Sequence, residues 1–254
     1  MGRDCLTTVI SMWSGPRNIS TTMMRSFGAR RDMAVFDEPF YAAFLAATGV
    51  AHPYRDETLQ AYPNDVQSVL DWIAAPQSKP FLFLKTIAYH LAGRDLGFAH
   101  AYRNFILIRD PRAMVASFSI KMKDAEPIAA SYAVARALRT RLTDEGLPCP
   151  VVDSADILAA PEAMLRLLCS ALRVPFDPAM LSWPPGPRPE DGPWAPHWYD
   201  AVRASTGFNK PVEKCVALTP AQEAVASAAA ADFEMLHAVR LRPVVSMRER
   251  HISS

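Results

Sequence analysis

Apolar residues along this chain fall into short continuous runs, separated by longer stretches in which they recur at helical spacing. Val9-Ile-Ser-Met-Trp-Ser14 is the first run, of strand length and partly β-branched. After the turn Ser14-Gly15-Pro16-Arg17-Asn18, helical spacing begins with Met23, Met24 and Phe27. Met33–Phe36 reads as a second strand, and Pro39 opens a segment through Phe40 to Leu45. The polar stretch Ala51 to Pro63 reads as a loop, and Val66, Val69, Leu70 and Ile73 mark a helix over 65–75. Phe81–Leu84 is a strand ending at Lys85-Thr86, with a helix expected from His90 to Leu96.

Asn104-Phe-Ile-Leu-Ile-Arg109 is the clearest strand, apolar on both alternating faces as a central parallel strand is. Asp110-Pro111 supplies an N-cap acceptor and a first-turn proline for a helix reaching about Lys121. Further helices are expected over 125–142, 161–172 and 219–239, with a short strand at 150–152. Strands alternating with helices in this way predict an α/β fold: three layers, α/β/α, around a central parallel sheet. All 254 residues fit one domain. Within it, 183–210 is a proline- and aromatic-rich lid segment, with six prolines from Pro184 to Pro196, and 241–254 is a tail.

Composition narrows the function classes. The chain is 50% hydrophobic and 21% charged, with a formal net charge of +1, so neither a nucleic-acid surface nor a polyanion partner is indicated. Four scattered cysteines without a CxxC pair suggest neither a zinc site nor a disulfide framework. No apolar run approaches membrane-spanning length, and no signal segment is evident, so a soluble cytoplasmic protein is expected.

The chemistry concentrates at the first turn. A strand, a tight turn and a helix make an anion cradle, because unpaired N–H groups and the positive helix end converge there. Ser20, Thr21 and Thr22 add hydroxyls and Arg17 a charge. A nucleoside-triphosphatase loop would carry a second glycine and a lysine, and both are absent. A kinase or triphosphatase is therefore disfavoured.

Gly15-Pro16-Arg17-Asn18-Ile19-Ser20-Thr21-Thr22 resembles the 5′-phosphosulfate loop of the P-loop sulfotransferases, which use 3′-phosphoadenosine 5′-phosphosulfate (PAPS). Arg109, at a strand end, with Ser117 eight residues later resembles that family's 3′-phosphate motif. Asp156-Ile-Leu-Ala-Ala-Pro-Glu162 with Phe176-Asp177 is a weaker echo. The resemblance implies a P-loop nucleoside-triphosphatase-like sulfotransferase fold, PAPS as co-substrate, no metal, and in-line sulfuryl transfer to a hydroxyl or amine of a small metabolite. Cofactor-binding residues would be Gly15 to Thr22, Arg109 and Ser117. Two departures stand out. The family's Ser-Gly after the loop arginine is Asn18-Ile19, which removes a glycine able to take positive φ. The C-terminal Arg-Lys-Gly loop is missing; Phe208, against adenine, and Lys210, near a phosphate, are the substitutes in view, with a helix C-cap at Gly207 as the alternative.

Glu38, twenty-one residues after Arg17, matches the place where some such enzymes carry a base, and it could equally serve as a helix N-terminal charge. Lys85 and His90 are further catalytic candidates, and Arg17 would stabilise the leaving group. His197, among Trp194, Trp198 and Tyr199, either lines an acceptor pocket or belongs to the lid's own core. Arg109 alone would read as a buried salt bridge to Asp110 or another acid. A small-molecule acceptor is expected, with neither nucleic acid nor membrane as partner; a homodimer stays open. The competing reading is a non-catalytic nucleotide-binding domain of the same fold.

Overall fold

The computed structural model describes residues 7–122, 126–209 and 217–243. Five parallel strands form one sheet in the order β2-β3-β1-β4-β5: β1 (Thr8–Ser14), β2 (Met33–Asp37), β3 (Phe81–Ile87), β4 (Arg103–Ile108) and β5 (Val151–Asp153). The period-2 alternation of each strand feeds two separate cores. Ile10, Met12, Phe83, Phe105 and Leu107 point to one face, where α1 (Ser20–Gly28) and α8 (Pro161–Ala171) bring Met23, Phe27, Met164 and Leu168. Trp13, Leu82, Leu84, Ile106 and Ile108 point to the other. That face is covered by α4 (Val66–Ala74), α5 (Pro111–Phe118), α6 (Glu126–Asp144) and α11 (Pro220–Ala238). The three-layer α/β/α architecture is the one the periodicity predicts.

Several elements differ from the sequence reading. Residues 51–63 contain a helix, α3 (Arg55–Ala61), after α2 (Tyr41–Thr48). Of its residues only Thr58 is buried, so no apolar stripe announces it; Asp56 and Glu57 favour it from the first turn. The helix expected at 90–96 is replaced by two 3₁₀ turns, Ala88–Leu91 and Gly97–Ala101. Ala92 is extended between them and Gly93 takes φ 72°, which ends helical continuity. The remaining helices are α7 (Ser154–Ala159), α9 (Ala195–Trp198) and α10 (Asp200–Arg203). Gly207 caps no helix; it bridges Ser182 in an antiparallel pair, so the lid folds back on itself. Among the described residues no helix is long and apolar enough to cross a membrane.

Candidate active site

At the carboxyl ends of the strands the chain encloses a cavity of about 350 Å³, lined by residues 16–22, Glu38, Lys85, Arg109, Ser117 and a ring of aromatic side chains. Clefts at the carboxyl ends of an open parallel sheet are where α/β proteins bind ligands.

One end is built from the β1–α1 turn. Arg17 (φ 59°) and Ile19 (φ 45°) both lie in the left-handed region. For β-branched Ile19 this is a strained conformation, held where a glycine would be at ease. Ile19 is the N-cap of α1 and offers no side-chain acceptor, so the first N–H groups of the helix stay open to an anion. Asn18 is buried and donates from Nδ2 to the Leu107 carbonyl at 2.5 Å, pinning the turn onto β4. This bond answers what replaces the missing Ser-Gly: an amide anchor holds the turn. Gly15 lies behind the cavity wall, where a Cβ would come 2.5 Å from Met114 Cε.

Arg109, just past β4, donates from Nη1 to the Arg17 carbonyl at 2.7 Å, and Arg17 Nε donates to Ser117 Oγ at 3.2 Å. Turn, strand end and α5 therefore converge. Tyr132 fixes the Arg109 backbone, accepting from its N–H and donating to its carbonyl. Asp110 does not pair with Arg109; it caps α5 through Ala113 N–H at 2.9 Å. Burial lowers the pKa of both guanidiniums, and Arg109 lowers that of Arg17 further, against a smaller opposing pull from Asp200. Neither makes an ion pair with a carboxylate among the described residues. Asp110 and Asp153 also pull on Arg109 from a distance, but two crowded guanidiniums with no ion-paired carboxylate favour an anion between them.

The opposite end is acidic. Lys85, on β3 beside the edge strand β2, donates to Asp37 Oδ1 (2.9 Å), Glu38 Oε1 (2.7 Å) and the Tyr199 hydroxyl (2.5 Å), which uses all three of its N–H bonds. Asp37 is buried and accepts from Tyr199 Oη (2.6 Å) and Gly192 N–H (3.2 Å). Glu38 stands at φ 46° with its side chain 14% exposed, and Oε2 has no hydrogen-bond partner among the described residues. Burial raises the Glu38 pKa, Lys85 opposes it and Asp37 reinforces it. Burial would lower the Lys85 pKa, but the carboxylates of Asp37 and Glu38, then Tyr199, outweigh it and carry it well above the usual value.

The lid closes the cavity by joining this network. Trp194 is buried and its Nε1 donates to the Tyr199 hydroxyl at 3.0 Å. Arg25 of α1 holds Asp191 at 2.7 Å. Trp198 stacks near Phe118 and His52, with the Arg17 guanidinium 5.9 Å from its ring centre. The aromatic cluster is thus both lid core and cavity wall.

Of the residues singled out from sequence, Pro16 to Thr22, Glu38, Lys85, Arg109 and Ser117 share the cavity. His90 does not line it. It is buried behind Tyr41, stacked at 4.8 Å, with its pKa lowered by burial, then by His52 and Lys85. Phe208 packs edge-to-face on Trp183 at 5.4 Å instead of facing the cavity, and Lys210 lies outside the described residues. His197 is absent from the lining and sits edge-on to Trp198. Sequence reasoning missed Asp37, Tyr41 and His52, and had Tyr199 only as one of an aromatic cluster, without its bonds to Lys85 and Asp37. Asp37 sits beside Glu38 and could have been flagged as a strand-end acid. Among the described residues no group of three or more His, Cys, Asp or Glu could hold a metal ion.

Comparison with known proteins gives the chain's family and fold relatives. Residues 8–238 match the family model described as a sulfotransferase domain. Two curated relatives from Arabidopsis thaliana, branched-chain-amino-acid aminotransferase-like proteins 2 and 1, are 41% and 40% identical over 205 residues, 80% of this chain. The chain spans little more than a third of their length, 36% and 37%. A solved sulfotransferase from Alicyclobacillus acidocaldarius shares the fold at 12% identity and a TM-score of 0.52, covering 95% of this chain and 98% of that one.

Proposed function

The chain belongs to the sulfotransferase domain family, and on that premise we propose that it moves a sulfuryl group from PAPS to a hydroxyl or amine of a small metabolite. One observation carries this reading. Arg17 and Arg109 face a single cavity without carboxylate partners, while an acid with a free oxygen, Glu38, lines the same cavity. PAPS is a two-ended anion, and the donors fit it. The open N-terminus of α1 with Ser20, Thr21 and Thr22 suits a phosphosulfate, and Arg109 with Ser117 suits a 3′-phosphate. When bound, PAPS supplies the sulfuryl group and leaves as adenosine 3′,5′-bisphosphate.

The chain's own residues then have distinct tasks. Arg17 and the α1 N-terminus stabilise negative charge growing on the departing phosphate oxygen. Glu38 Oε2 accepts the proton of the acceptor as the new bond forms. Lys85 is a positioning residue, since its three donors are committed to Asp37, Glu38 and Tyr199. The lid excludes water by closing Trp194 and Tyr199 over Asp37.

The relatives' description as aminotransferase-like finds no support in this cavity. A Schiff-base lysine needs a free amine, whereas the Lys85 ammonium is paired with two carboxylates and a hydroxyl. Calorimetric titration tests the proposal. Micromolar binding of adenosine 3′,5′-bisphosphate, lost in Arg17→Ala and Arg109→Ala, is expected. Tight ATP·Mg²⁺ binding with none of the bisphosphate would overturn it.

A further inference from the structure

None of the described residues of α6 lines the cavity, yet α6 stands behind both segments that carry its arginines. Arg109 lies just past β4, beyond the last paired residues on either side, Leu107 opposite Ser14 and Ile108 opposite Asp153. The next residue, Asp110, is kept out of helical geometry by the proline that follows it. Arg109 therefore belongs to neither the strand nor the helix. Tyr132 of α6 supplies the fastening. Its hydroxyl accepts from the Arg109 N–H at 3.2 Å and donates to the Arg109 carbonyl, so one phenol clasps both backbone groups of one residue. The same oxygen lies 3.2 Å from Met114 Sδ, and Met114 Cε is the atom that a Cβ at Gly15 would strike at 2.5 Å. Ser131, one residue earlier on α6, would meet that Cβ at 3.4 Å. Two successive residues of α6 thus back the β1–α1 turn as well as Arg109.

Packing alone does not account for this hydroxyl. The Tyr132 ring meets Phe233 edge to face at 5.9 Å, a contact that phenylalanine makes equally well. What the oxygen adds is control of the Arg109 backbone, and that backbone decides where the guanidinium reaches. Its Nη1 meets the Arg17 carbonyl at 2.7 Å, at the edge of the cavity. We propose that Tyr132 is a positioning residue: by clasping the Arg109 backbone it aims this guanidinium, and so sets the preference for a nucleotide that carries a 3′-phosphate. The proposal rests on the PAPS reading, which puts Arg109 at the 3′-phosphate.

Tyr132→Phe keeps the ring and removes the clasp. The full chain and this variant are titrated calorimetrically with adenosine 3′,5′-bisphosphate and with adenosine 5′-monophosphate, which lacks the 3′-phosphate. The variant is expected to bind the bisphosphate about tenfold more weakly, the scale of one hydrogen bond to a charged group, and the monophosphate as wild type does. In an Arg109→Ala background, adding Tyr132→Phe should cost nothing more. Amide hydrogen exchange reads the clasp without any ligand. The Arg109 amide should be protected in the wild-type chain and exchange about tenfold or more faster in Tyr132→Phe. Unchanged bisphosphate affinity in the variant, equal losses for both nucleotides, a further loss in the Arg109→Ala background, or an unprotected Arg109 amide in the wild-type chain would each overturn the inference. Failure of the wild-type chain to bind the bisphosphate while its Arg109 amide is protected through Tyr132 would sink the PAPS reading and the 3′-phosphate preference, and leave the clasp standing.

Discussion

Arg109 Nη1 reaches the backbone carbonyl of Arg17 at 2.7 Å, so the arginine after β4 holds in place the turn that carries the other arginine. The two arginines are ninety-two residues apart in the chain yet are joined by one hydrogen bond at one cavity. Their contributions to ligand binding should therefore not be independent. Arg109→Ala is expected to weaken bisphosphate binding by about 1.5–3 kcal/mol, the range for a hydrogen bond to a charged group. In a double-mutant cycle, Arg17→Ala and Arg109→Ala should couple by about 0.5 kcal/mol or more. Additive losses would mean that the backbone bond does not organise the turn.

With Glu38 as the proposed base, its ionisation is expected to set the acid limb of the pH profile. Burial raises its pKa, so the carboxylate stays protonated, and unable to accept a proton, to higher pH than an ordinary glutamate near about 4.3. The rate should rise with pH through that raised value. Glu38→Gln should lower turnover by about 10²–10⁴-fold, as for loss of a general base, while bisphosphate affinity is retained. An acid limb in the ordinary carboxylate range, or full turnover in the glutamine variant, would remove Glu38 from this role.

Lys85→Met keeps the length of the side chain and removes its charge. Asp37 and Glu38 would then be left buried without their partner. Breaking one side of a buried pair costs about 3–5 kcal/mol, so the urea midpoint should fall by that equivalent. Adding Asp37→Asn should recover part of the loss. A Lys85→Met variant as stable as wild type would show the network to be dispensable for folding.

How the chain closes its lid depends on Gly192. A Cβ there would lie 2.3 Å from the Trp194 ring, and Trp194 is buried at 1% exposure with little room to move. Gly192→Ala should cost about 1–3 kcal/mol, the usual range for overpacking. It should also change Trp fluorescence as the Trp194–Tyr199 bond is strained. An unchanged spectrum and unfolding midpoint would contradict this placement of the lid.

The parts of the site legible in sequence were those set by short-range patterns. Strand β4 read as doubly buried, the β1–α1 turn read as an anion cradle, and Arg109 with Ser117 kept a motif's separation. What stayed hidden depends on strand order and on distant contacts. Lys85 meets Asp37 because β3 lies beside β2 with Asp37 in register with Lys85, a pairing no local pattern encodes. Tyr199 joins them from 114 residues beyond Lys85, brought in by the lid. Helix α3 was missed because it buries almost nothing, and the 3₁₀ turns after β3 because the apolar spacing said nothing of the backbone at Gly93. Ile19 taught the opposite lesson. Its β-branched side chain argued against a left-handed turn, yet the Asn18 anchor and Arg109 hold the chain in that shape.

Sulfuryl transfer itself is the claim to test most directly, and heavy-sulfur-labelled PAPS allows it even with an unidentified acceptor. The full chain is incubated with labelled PAPS and a small-metabolite extract, and products are resolved by mass spectrometry. A labelled sulfo-product that appears with the wild-type chain and disappears in Glu38→Gln and Arg109→Ala is the predicted result. No labelled product with the wild-type chain, or equal labelling in both variants, would contradict the account.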